Sequence, residues 1–74
     1  MTAKELKDWI QEGLDDITFE YNGKSGGIFP FNYDRIGLGY GDVDVTATNI
    51  DEAMNTKFIN GYSLNEIADK LDID

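Results

Sequence analysis

The chain has 74 residues, with 15 Asp and Glu against 6 Lys and Arg for a formal charge of −9, and it contains neither cysteine nor histidine. Disulfides, thiol nucleophiles, imidazole bases and the usual zinc ligand sets are excluded. The charge repels phosphate, so direct nucleic-acid binding and anionic membranes are disfavoured and the natural partner is a protein with a basic surface. Area scaling gives a folded surface of ~4,600 Å² against ~12,000 Å² unfolded, enough for one small core, so residues 1–74 are read as a single domain. A hydrophobic content of 41%, an aromatic content of 12% and a single proline favour folding over disorder. Apolar stretches are too short for a signal peptide or a membrane span, which points to a cytoplasmic protein, a monomer or weak dimer without cofactors.

Thr2 and Glu5 form a capping box, and Leu6, Trp9, Ile10 and Leu14 then recur on one face of a helix. This predicts a helix over 3–12, with Gly13 as a left-handed stop. Ile17, Phe19 and Tyr21 alternate with Thr18 and Glu20 as in a half-buried strand, and Asn22-Gly23 is the signature of a two-residue type I′ hairpin turn. The return strand runs from Lys24 to about Phe31. It sets Phe19 opposite Gly26 and Ile17 opposite Ile28, and Pro30, lacking an N–H, marks a strand end or an edge.

Asn32-Tyr33-Asp34 reads as a turn. Ile36, Leu38 and Tyr40 alternate with Arg35, Gly37 and Gly39 in a third strand, flat on one face, and Val43 to Ala47 form a possible fourth. Thr48 or Asn49 caps a second helix bearing Ile50, Ala53, Met54 and Phe58, which Asn60-Gly61 ends. Ser63 and Glu66 cap a last helix with a Leu64, Ile67, Ala68, Leu71 stripe and a Glu66–Lys70 pair. The predicted fold is α+β: an N-terminal helix, an antiparallel hairpin extended to three or four strands, and two short C-terminal helices.

Four motifs lack the partners their chemistry needs. Residues 63–71 resemble the first helix of a helix-turn-helix, but no recognition helix follows before Asp74. Asp42, Asp44 and Thr46 offer alternating oxygens, yet the positions where an EF-hand loop needs Gly and Glu hold Ala47 and Ala53. The Gly37, Gly39, Gly41 run lacks the lysine and helix start of a phosphate loop. Asp15 and Asp16 are adjacent carboxylates without a cleft to perturb them, so no enzymatic activity is expected.

Two surfaces remain. On the first helix Glu5, Asp8 and Glu12 share a stripe flanking Trp9, and with Asp15 and Asp16 they space negative charge on roughly the scale of a nucleic-acid backbone. The aromatics Phe29, Phe31, Tyr33 and Tyr40 form the second: if Ile28 points inward, Phe29 points outward, on what reads as an edge strand, unless a bulge or a covering helix buries it.

The Tyr21-Asn22-Gly23-Lys24 hairpin with the later Ile59-Asn60-Gly61-Tyr62-Ser63-Leu64 resembles small uncharacterised acidic proteins of Gram-positive bacteria and their phages. In size, charge and element order the chain is similar to anti-CRISPR and anti-restriction proteins. That resemblance implies an inhibitor of host defence and assigns no site residue. The expectation is a non-catalytic protein-binding domain, in its sharpest form a nucleic-acid mimic acting through Glu5, Asp8, Glu12, Asp15 and Asp16 with Trp9 or Phe29 as anchor. The alternative is an accessory or assembly protein that binds through a strand edge and exposed aromatics such as Phe29 and Phe31.

Overall fold

A computed structural model describes residues 1–13 and 15–73. Strands β1 (Ile17–Tyr21) and β2 (Lys24–Asn32) meet at Asn22 and Gly23, whose φ angles of 52° and 80° are the two positive values a type I′ turn requires. The register is the one the turn dictates, Phe19 opposite Gly26 and Ile17 opposite Ile28. The Phe19 ring fills the space above Gly26, where an added Cβ would stand 2.5 Å from Cζ.

Strand β3 (Arg35–Tyr40) follows a turn in which Asn32 Oδ1 accepts from the Asp34 N–H at 2.8 Å, and β4 (Val43–Ala47) follows Gly41, at φ 57°. A two-residue β5 (Asp72–Ile73) pairs with β1, giving a five-stranded antiparallel sheet in the order β4-β3-β2-β1-β5. This exceeds the three or four strands expected, because two residues are too few for a readable alternation. β2 is thus the central strand, not an edge, and it runs through Pro30 to Asn32. Two features accommodate the proline: the register shifts between Pro30 and Asn32, and β1 begins only at Ile17, opposite Ile28, so among the described residues no strand pairs with Pro30 on that flank.

Helix α1 (Ala3–Gly13) is closed by its capping box: Thr2 Oγ1 accepts from Glu5 N–H at 3.1 Å and Thr2 N–H donates to Glu5 Oε1 at 2.9 Å. Gly13 is its last residue and does not take a left-handed φ. The expectation for Leu14 lies outside the described residues. Asn49 caps α2 (Ile50–Asn55) by accepting from Glu52 N–H at 2.7 Å.

That helix stops well before Asn60-Gly61, and Phe58 is buried from the following segment. Asn60 and Gly61, at φ 52° and 86°, build a second type I′ turn, with Ile59 and Tyr62 exchanging both backbone hydrogen bonds. The pair read as a helix stop is a miniature hairpin, because positive φ at two successive residues suits that turn as well as it suits a cap.

The last helical stretch is α3 (Leu64–Ile67) continued as a 3₁₀ turn, Ala68–Lys70. Tightening to three residues per turn moves Lys70 off the line of Glu66. Glu66 instead caps Ser63 N–H at 3.0 Å and has Lys57 Nζ 4.0 Å away.

All three helices contribute to one core against one face of the sheet. Leu6 and Ile10 of α1, Ala53 and Met54 of α2, and Leu64 and Ile67 of α3 join Ile17, Phe19, Ile28, Ile36, Leu38 and Tyr40. The folded surface is 4400 Å², close to the area expected from length. No described helix is long and apolar enough to cross a membrane.

Candidate functional site

Among the described residues no element covers the face of the sheet opposite the helices. Its composition follows from strand parity and register. One row across the strands reads Asp44, Gly39, Gly27, Thr18; a second reads Thr46, Gly37, Phe29; a third brings Ser25 beside Glu20 and Asp72. Three glycines therefore floor the middle of this face, and an open concavity spans them, bordered by Asp16, Thr18, Phe29, Phe31, Asp44 and Thr46.

The phenylalanines lie down on that floor. The Phe29 ring rests over Gly27, where an added Cβ would come within 2.3 Å of Cζ, and Phe31 Cε2 approaches the same point above Gly37 at 3.5 Å. Phe29 is 37% and Phe31 69% exposed. Two neighbouring exposed rings on a central strand differ from surface apolar residues scattered singly. Gly39 is bare: only Val43 O lies within 4 Å of its missing Cβ.

Asp16, Glu20, Asp44 and Asp72 share this side with the single cation Arg35, and none of the four carboxylates enters an ion pair among the described residues. Tyr40, expected among the exposed aromatics, is in the core. Its parity matches Ile36 and Leu38, its hydroxyl donates to Tyr21 O at 2.6 Å, and its ring stacks near Phe19 with centroids 6.4 Å apart.

The acidic stripe of α1 belongs to the opposite layer. Glu5 is held by the cap, and its pKa is lowered first by the Thr2 backbone N–H and then by the Thr2 hydroxyl. Asp8 pairs with Lys4 at 3.2 Å, and Lys7 reaches Asp51 of α2 at 2.8 Å. Trp9 is half-buried and packs against the core. Glu12 is exposed in the last turn of this helix, where the dipole disfavours negative charge and no base is present, and Asp15 is exposed just beyond it, whereas Asp16 borders the concavity on the open side of the sheet.

Sequence reasoning placed Phe29, Phe31 and Asp16 among the site residues, and the structure brings these three together. It weighed Asp44 only as a cation ligand and did not single out Thr18 or Glu20, although strand parity with Phe29 carries that signal once the register is known. Among the described residues no group of three acidic side chains is arranged to hold a metal ion. Comparison with family models, curated proteins and solved structures finds no match.

Proposed function

We propose that the protein is a non-catalytic binding domain that engages a partner protein with a basic surface through the uncovered face of its sheet. The observation that carries this reading is the pair of exposed rings, Phe29 and Phe31, seated on a glycine floor beside unpaired carboxylates. Rings of this kind supply large contact area with little rotamer entropy to lose, and a surrounding of like charge steers a complementary partner toward them.

A narrower form of the reading, inhibition of a nucleic-acid-handling protein by charge mimicry, is supported by Glu12, Asp15 and Asp16. It draws less on Glu5 and Asp8, which already have partners within the fold.

The test is capture of partners from bacterial lysate on the immobilised protein, at low and high salt, with variants that separate the two surfaces. The sheet reading expects a retained protein that is released by salt and lost to Phe29→Ala/Phe31→Ala, with affinity reduced roughly thirtyfold, the equivalent of ~2 kcal/mol for a hot-spot aromatic. Glu12→Lys/Asp15→Lys should leave retention intact. The reverse pattern, with duplex DNA displacing the partner, favours mimicry by the helix end. Retention indifferent to both variants and to salt refutes the reading.

A further inference from the structure

The two edges of the sheet are unlike. One is closed by β5, a two-residue strand against β1 that continues from the 3₁₀ turn. The other is β4, five residues in unbroken register with β3 and without the lysine, proline or bulge that ordinarily blunts an edge. Its two sides differ as well. Val43 and Val45 lie on the core side, opposite Tyr40 and Leu38, yet are 43% and 36% exposed because only Ala47, near α2, is covered. Asp44 and Thr46 lie on the open side, in line with Gly39 and Gly37.

We propose that β4 is a strand-addition site for an extended segment of the partner in which cationic and apolar residues alternate. A strand added beside β4 satisfies its unpaired backbone groups, sets every second side chain against Val43 and Val45, and sets the intervening ones against Asp44. Charge complementarity selects the occupant: a lysine or arginine on the open side meets Asp44, with Asp42 next along the chain, whereas a second copy of this chain brings its own charge of −9 to the pairing.

The inference rests on the basic-partner reading above, and its test separates the two. The probe is a blocked heptapeptide of alternating lysine and valine, titrated into the protein while backbone amides are followed by NMR and hydrogen exchange. The expected result is protection confined to the outward amides of β4. Binding should be about tenfold tighter than for a peptide of the same composition in block order, because only alternation matches the two sides of a strand. Val43→Lys/Val45→Lys, at exposed positions, should abolish the difference.

Equal binding of both peptides, or protection elsewhere, overturns the site. So does concentration-dependent dimerisation of the free protein through β4. Lysate capture that survives Val43→Lys/Val45→Lys but remains salt-sensitive overturns the edge assignment and leaves the basic-partner reading standing. Capture insensitive to salt removes both.

Discussion

Gly26 and Gly27 are neighbours in β2 with opposite duties. Gly26 faces the core, and a Cβ there would stand 2.5 Å from Phe19 Cζ and 2.7 Å from the backbone oxygen of Gly39. Neither can retreat, since Phe19 is fully buried and the oxygen belongs to the paired strand. Gly26→Ala is expected to destabilise the fold by about 1–3 kcal/mol, the usual cost of overpacking. Gly27 faces outward beneath the part-exposed ring of Phe29, which can swing aside. Gly27→Ala should cost much less stability while lifting the ring off its floor and weakening partner capture. Urea denaturation of both variants checks the order; equal losses would show that Phe29 is as fixed as Phe19.

The caps give the helical elements a dependence on pH. Glu66 accepts from the Ser63 N–H, and that backbone bond, then the Ser63 hydroxyl, lowers its pKa below the ordinary 4.5. A carboxyl whose folded pKa is depressed contributes stability that is present above its unfolded pKa and is lost as pH falls through the folded one. The window therefore opens near pH 4.5 and extends downward. Glu66→Gln should lower the melting temperature at neutral pH and shrink the gap to the natural sequence as the solution is acidified below that point. A gap constant across the window would mean that the carboxylate adds nothing beyond a neutral acceptor. Glu5, held in the same way by Thr2, behaves alike at the start of α1.

At the scale of the molecule, the charge and the layering pull in different directions. A charge of −9 on a surface of 4400 Å² repels itself, and the three ion pairs formed among the described residues are exposed and weak. Added sodium chloride should raise the melting temperature by screening that repulsion over a Debye length of roughly 10 Å at 0.1 M. The same salt should weaken partner capture. Opposite signs for stability and binding would tie the acidity to recognition, and a salt-indifferent melting temperature would show that the carboxylates are too far apart to burden the fold.

The α+β layout, the first hairpin with its register and the two capping boxes were all determined by the sequence, whereas the exposure of Phe29 and Phe31 waited on which strands pair and what covers them. Each depends on local chemistry: the φ demands of Asn-Gly, the reach of a side chain over one helical turn, or the period of two along a strand. The tertiary structure alone decided which strand is central, that β5 closes one edge while β4 stays open, that Asn60-Gly61 turns a second hairpin, and that Asp16, Asp44 and the two phenylalanines share one face. Those facts depend on which strands pair and where the helices come to rest. Pairing is set by the shared burial of Ile17, Phe19, Ile28, Leu38 and Tyr40 across residues far apart in the chain, which no window of neighbouring residues contains.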